Sequence, residues 1–274
     1  MYFLQLFFEG QNNYYIYIYN PDYKKQVTLP DMIKYQKQTR LLVAVDCILF
    51  GFDGQKLNLL IIQRAFEPQK NNWSLMGGFI QPSESGDAAA LRILKKLTGL
   101  EGVYLEQLYT FSLPDRDPIE RTISVAYFAL INSNLYEKQI TDEYRAEWFP
   151  LEAIPDMIFD HKEMVRVAKE NLRYKAALHP ILFELLPEKF TMPLLQGLFE
   201  QVFETSFDKG NFSRKIISTH LVIKQKDKDM VNSRKGAFYF KLDKKNYKKN
   251  FNKFLYFIRD PGGITKAEKV SERD

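Results

Sequence analysis

Three stretches of the chain carry side chains whose types and spacing could do chemistry. Residues 78–100 read GFIQPSESGDAAALRILKKLTGL, in which Glu84 and Arg92 can pair and hold a loop against a helix, and Gly78 and Gly99 suit a turn and a helix cap. Ile93, Lys96 and Leu97 stand at i, i+3 and i+4, so they share one helix face that offers two hydrocarbons and an ammonium. A second stretch, SLPDRDPIER, gathers Asp115, Arg116, Asp117 and Arg121 in a proline-bounded loop, charged forks able to make bidentate hydrogen bonds to hydroxyls. The third runs from Lys209 through Asn211, Ser213 and Arg214 to Lys215, types that contact phosphates and base edges. The only cysteine, Cys47, and the three histidines, His161, His179 and His220, cannot build a disulfide framework or a closed Cys/His zinc site. Cys47 reads as a core residue, and His161 as either a pocket hydrogen-bonder or a structural histidine at a helix start.

The elements that must position these groups follow from periodicity. LLVAVDCILFGF and KLNLLIIQR are two apolar strands around Asp53-Gly54, a hairpin signal, and WSLMGGFI is a third strand. Ser85 to Leu97 has helical spacing, LEQLYTF and ERTISVAYFALI are strands flanking the charged loop, and a second helix runs from His161 to Tyr174. Beyond Leu178, a short helix spans Pro180 to Leu186, Thr191 caps a longer helix, and Asp208 caps a third whose Phe212, Ile216 and Ile217 face inward. HLVIKQ and GAFYFKL then make a hairpin with Arg234 and Lys235 at its tip, completing a winged helix-turn-helix. Tyr15 to Tyr19 alternate as a strand for which the sequence offers no upstream partner, and residues 1–31 read as a dispensable extension. The organisation is a 1–37 extension, an α/β sandwich over 38–174, a winged helix-turn-helix over 175–250 and a basic tail over 251–274.

Charge divides the chain in the same way. From Thr205 onward 18 Lys and Arg stand against 8 Asp and Glu, whereas the preceding part carries 21 against 26. An acidic front and a basic end suit a folded domain joined to a module that meets a polyanion. With 274 residues, 45% of them apolar, the chain is long enough for two cores, and disorder is excluded. No apolar run reaches the roughly 18 residues of a membrane span, and the opening MYFLQLFF lacks a basic leader, so a soluble, unexported cytoplasmic protein with no membrane partner is expected.

The 78–100 segment resembles the Nudix box, with Gly78, Glu84, Arg92, Leu94, Gly99 and Leu100 in register, and the resemblance covers roughly residues 40–170. It implies a Nudix-fold α/β/α sandwich. In a working Nudix hydrolase, glutamates on one helix face hold the divalent cations that polarise a diphosphate. Here those positions are Ile93, Lys96 and Leu97, so the resemblance implies a catalytically inactive domain with no metal and no cofactor. A cation about 4 Å from an ammonium suffers roughly 4 kcal/mol of repulsion per unit charge pair at an effective dielectric near 20. A Nudix pyrophosphatase acting on substrates such as ADP-ribose is the alternative.

A spoiled Nudix box followed by a winged helix resembles the Nudix-related transcriptional regulators, as do PDRDPIERTISVAYFAL and FTMPLLQGLFEQVFETSFDKGNFSRKI. That resemblance implies a homodimer that binds double-stranded operator DNA and senses a small molecule. CILFGF, EPQKNNWSLMGGFIQ and LTGLEGVYLEQL resemble the arabinose-responsive (AraR-type) branch, which makes a repressor of L-arabinose utilisation genes the expectation; the other branch answers to ADP-ribose. The effector is expected in the old substrate cleft, beside Arg64, Trp73, Phe111, Asp115, Arg116, Asp117 and Arg121, although a surface ion-pair network accounts equally for any one of the charged residues. DNA is expected on Lys209, Asn211, Ser213, Arg214, Lys215, Arg234 and Lys235, each lysine taken singly being also a solvated side chain.

Overall fold

A computed structural model describes residues 4–8, 14–18, 38–65, 67–136, 144–231 and 236–250. The chain forms two units, Met1–Leu41 and Leu42–Asp274. In the first, β1 (Leu4–Phe8) pairs antiparallel with β2 (Tyr14–Ile18), from Leu4 opposite Ile18 to Phe8 opposite Tyr14. The Tyr/Ile alternation therefore does have an upstream partner, LQLFF, whose unalternating apolar run hides its strand character.

The second unit is built on a seven-stranded sheet. Its central strand, β3 (Leu42–Phe52), turns at Asp53-Gly54 into β4 (Leu57–Gln63). Asp53 Oδ1 accepts from the amides of Gln55 and Lys56, both at 2.7 Å, and Gly54 takes φ +95°, so the residues that signalled the hairpin also fix it. β5 (Trp73–Ser74) and β6 (Met76–Phe79) divide what reads in sequence as one strand, β5 joining β4 and β6 joining β3. β7 (Glu106–Phe111) pairs with β8 (Thr122–Asn132), which lies parallel to β3, and β9 (Ala146–Pro150) pairs with β4.

Alternation divides the sheet between two cores. Val45, Cys47 and Leu49 face α1 (Gly86–Thr98), burying its Ala89, Ala90, Ile93, Leu94 and Leu97. Ile48, Phe50 and Phe52 face the other way, toward α3 (His161–Leu178); the four-residue α2 (Ser133–Tyr136) follows β8 directly in the chain. Ser85 caps α1 by accepting from the Ala88 amide, and Gly99 ends it in the left-handed region at φ +79°. α3 runs four residues past Tyr174, because Ala176 still packs in the core and Pro180 is the first residue that stops it.

The second core continues without a break into the C-terminal elements. After a 3-10 turn, Ile181–Leu185, β10 (Phe190–Thr191) leads into α4 (Met192–Phe203), capped by the Thr191 hydroxyl. α5 (Lys209–Ser218) is capped by Asp208, and β11 (Val222–Asp229), β12 (Ala237–Leu242) and α6 (Lys244–Asn250) complete the module, with sheet order β10-β12-β11. Leu195, Leu198, Phe199, Phe212 and Ile216 join the same cluster as Phe50 and Leu59 of the large sheet. Ile217, expected inside, is 51% exposed: the buried stripe of α5 is the i, i+4 pair Phe212 and Ile216, and the next position turns out to solvent. The architecture is a Nudix α/β/α sandwich joined to a C-terminal winged helix-turn-helix. Among the described residues no helix is long and apolar enough to cross a membrane.

Candidate functional site

β3 is apolar at its centre except for Asp46, which is 5% exposed and faces a cavity of about 530 Å³. The β3–β8 pairing brings Ser124 alongside, and its hydroxyl donates to Asp46 Oδ2 at 2.6 Å. Opposite Asp46 on β6 is Gly77, where an added Cβ would lie 2.2 Å from Asp46 Oδ1, so the carboxylate occupies the space a side chain would need. Arg116 donates to both oxygens of Asp160, at 2.9 and 2.7 Å, and its Nη2 lies 3.8 Å from Asp46 Oδ2. The loop carrying Arg116 is closed by Arg121, whose guanidinium donates to the carbonyls of Ser112 and Leu113 at 2.9 and 3.1 Å.

His161, the first residue of α3, completes the buried cluster. Its Nδ1 accepts from the Leu75 amide at 3.1 Å, which leaves the proton of the neutral ring on Nε2, 3.7 Å from Asp46 Oδ1. Burial holds its pKa below the usual histidine value, and the opposing pull of Asp46 and Asp160 does not overcome it, with Arg116 and Arg64 acting in the same direction as burial. Arg64 also lines the cavity; its Nε donates to the Pro68 carbonyl at 2.9 Å, and desolvation lowers its pKa.

The opposite wall is α1. Arg92 donates to Glu84 at 2.9 and 2.5 Å and to the Phe79 carbonyl at 3.1 Å, tying loop, helix and β6 together. These bonds to Arg92, with one from the Gln81 amide, bring the Glu84 carboxyl down to about 2. Ile93, Lys96 and Leu97 all line the cavity. Ile93 and Leu97 are buried against the sheet, and a Cβ on Gly78 would meet Ile93 Cδ1 at 2.8 Å, so these two are packing residues. Two hydrocarbons and an ammonium do not fit a divalent cation, and among the described residues no group of three or more His, Cys, Asp or Glu is placed to hold one.

Of the residues expected around the effector, the structure brings Arg64, Arg116 and Asp117 to the cavity wall. Trp73 packs edge-on against Phe149 with ring centres 4.8 Å apart, Phe111 is buried in the core, and Asp115 is exposed beside the loop; with Arg121 these stand outside the lining. The sequence reading missed Asp46, Ser124, Asp160, Phe79 and Phe159. A signal for the first two existed, since Asp46 and Ser124 are polar interruptions of otherwise apolar strands.

α3 also reaches the winged helix. Arg173 Nε donates to the Val202 carbonyl at 2.8 Å, and Glu204 pairs with Lys169 at 2.8 Å and with Arg173. Gln201 accepts from the Leu57 amide at 2.8 Å and donates to the Gln55 carbonyl at 2.9 Å, so α4 is latched to the β3–β4 hairpin as well. On α5, Lys209, Asn211 and Arg214 are exposed, Ser213 and Lys215 are half-buried, and Arg214 donates to Asn211 Oδ1. Lys224 and Lys228 of β11 both lie over the Phe238 ring, at 3.6 and 4.5 Å from its centre. Arg234 and Lys235 lie outside the described residues.

The NUDIX domain family matches residues 40–168, and the NrtR DNA-binding winged helix domain family matches residues 182–242. The chain is 32% identical over 222 residues to the ADPR responsive transcriptional repressor NtrR of Acinetobacter baylyi, spanning 80% of this chain and 88% of that protein. It belongs to the NrtR-type family of Nudix–winged-helix transcriptional regulators. The structure of Shewanella oneidensis NrtR complexed with a 27mer DNA superposes with a TM-score of 0.64 at 30% identity, covering 75% of this chain and 95% of that one. Over 153 residues the chain is 34% identical to an ADP-ribose pyrophosphatase of Methanocaldococcus jannaschii, spanning 56% of this chain and 85% of that enzyme.

Membership in the NrtR-type family overturns the assignment to the arabinose-responsive branch. The segments that suggested it, CILFGF, EPQKNNWSLMGGFIQ and LTGLEGVYLEQL, form β3, the turn into β5 and β6, and the connection from α1 to β7. Most of their residues are core and turn positions, and those that reach the cavity, among them Glu67, Gly78 and Phe79, do not by type select a pentose. The Acinetobacter relative is named a transcriptional repressor and the Shewanella one is seen in complex with DNA, and in this chain α1 offers the cavity Ile93, Lys96 and Leu97 rather than carboxylates.

Proposed function

We propose that this chain is a transcriptional repressor that binds operator DNA as a homodimer and is released from it by ADP-ribose. The carrying observation is the course of α3. Asp160 and His161, at its start, belong to the cavity cluster, and Lys169 and Arg173, farther along, hold the end of α4. A ligand that displaces the start of α3 therefore acts directly on the helix next to the DNA-reading α5.

The chemistry of the cavity supports a nucleoside diphosphate sugar. Phe79 is 53% and Ile119 65% exposed, apolar surface against which a base ring can lie. Glu67, Asp117 and Glu120 accept hydrogen bonds from ribose hydroxyls, and Arg64 and Lys96 supply positive charge for phosphates. A neutral pentose has no use for those cations. The names of the Acinetobacter repressor and the Methanocaldococcus enzyme both point to ADP-ribose. In this reading α5 places Lys209, Asn211, Ser213, Arg214 and Lys215 at the major groove, with Arg234 and Lys235 at the wing tip, and two-fold pairing doubles the contacts of one small module.

The test is fluorescence anisotropy with a duplex enriched from a random-sequence pool by the full-length protein. ADP-ribose is expected to lower its affinity at least tenfold, a coupling of about 1.4 kcal/mol. Unchanged DNA affinity at saturating ADP-ribose would overturn the effector assignment, and failure to enrich any duplex would overturn the DNA-binding one.

A further inference from the structure

Lys96 stands in the cavity wall on the one face of α1 where the Nudix fold would place cation ligands, with Ile93 and Leu97 beside it. Two other cations of the wall are committed to carboxylates: Arg116 is clasped by Asp160 and Arg92 by Glu84. Neighbouring Lys95 points away and pairs with Glu101 at 2.7 Å. Lys96, by contrast, is exposed and makes no ion pair among the described residues. An unneutralised ammonium facing a cavity is a counter-charge for an anion that arrives with the ligand.

We infer that the Lys96 ammonium takes the place of the divalent cations of a hydrolase, so that the pocket binds a diphosphate as the free, metal-free anion. This rests on the reading of the effector as a nucleoside diphosphate sugar. Two consequences follow from charge alone. A magnesium-bound diphosphate brings its own cation against the Lys96 ammonium and meets no carboxylate on the Ile93–Lys96–Leu97 face of α1, so magnesium weakens binding or leaves it unchanged. A substituted, uncharged residue 96 leaves the diphosphate without its partner, which costs about tenfold to a hundredfold in affinity, the range of a lost hydrogen bond to a charged group.

The experiment is calorimetry on the full-length protein with two probes, ADP-ribose and inorganic pyrophosphate, each in EDTA and in millimolar magnesium. It is run for the unaltered chain, Lys96→Arg, Lys96→Met and Lys96→Glu. The exposed position leaves folding intact, which an unchanged thermal midpoint checks. Binding in EDTA that is at least as tight as in magnesium, kept by Lys96→Arg and lost about tenfold or more by Lys96→Met, is the expected result. Lys96→Glu should abolish binding in EDTA and regain part of it on adding magnesium. Magnesium-dependent binding by the unaltered protein, or an unaffected Lys96→Met, would overturn the inference. If pyrophosphate binds in this Lys96-dependent way and ADP-ribose does not, the inference stands and the effector reading fails; if neither probe binds, both fail.

Discussion

Arg116 grips both oxygens of Asp160, the residue at the N-cap of α3, across 44 residues of sequence. An N-cap aspartate ordinarily spends its carboxylate on the amides of the first helical turn. Asp160 makes no such bond; its charge is committed to the cavity cluster instead. The start of α3 is thus held by the pocket and not by a side-chain cap of its own.

Arg116→Met leaves Asp46 and Asp160 close together without their cation. Arg116 is nearly fully buried, so chemical denaturation should show a loss of about 3 kcal/mol, the lower end for breaking a buried pair. Adding Asp160→Asn should return part of that loss. A single-variant cost below about 1 kcal/mol would mean the pair is solvated like a surface bridge.

His161 gives a pH dependence with a fixed sign. Its folded pKa lies below the unfolded value, so between the two the unfolded chain binds more protons. This contribution to stability is fully present above about pH 6.5 and is lost as pH falls toward the folded pKa, with a limiting slope of about 1.4 kcal/mol per pH unit for one proton. His161→Asn, whose amide oxygen can accept from the Leu75 amide, should remove that slope. An unchanged slope would assign it to other groups.

In the DNA-binding module, Arg214→Ala should cost about 1–3 kcal/mol on the enriched duplex and much less on random DNA if the guanidinium reads a base edge. Lys235→Ala, at the wing tip, should weaken both duplexes alike and lower the salt slope by about 1, as a phosphate contact does. Equal losses on both duplexes for Arg214→Ala would give it a phosphate role.

Glu204 joins Lys169 and Arg173 of α3 to the end of α4 in exposed ion pairs, so Glu204→Gln should change stability by at most about 1 kcal/mol. Its effect should appear in communication. ADP-ribose should bind the variant as before, while its power to release DNA shrinks severalfold. Full release by the variant would move the coupling to the Gln201 contacts with the β3–β4 hairpin.

Local chemistry was legible in the sequence wherever neighbours along the chain decide the structure. Ser85 and Gly99 bound α1, Thr191 and Asp208 cap α4 and α5, and Asp53-Gly54 makes its hairpin, because each acts on backbone groups within a few residues. The pocket was less legible because it is made by distant contacts. Asp46 meets Ser124 only through the parallel β3–β8 pairing, and His161 meets Leu75 across 86 residues. In the 115–117 loop, sequence cannot say which side chains turn inward; Arg116 is buried while Asp115 points to water. The effector class was not legible because the segments that suggested it, 47–52, 67–81 and 97–108, are mostly core and turn residues, and the cavity they help to line is completed by Asp46, Arg116 and His161 from elsewhere in the chain.

The central claim is that one helix transmits occupancy of the pocket to the DNA-reading module, and such coupling is reciprocal. The most direct measurement is the affinity for ADP-ribose, by calorimetry, of the free protein and of the protein saturated with its enriched duplex. The account predicts that DNA weakens ADP-ribose binding by the same factor by which ADP-ribose weakens DNA binding, at least about tenfold. Equal ADP-ribose affinity with and without DNA would contradict it.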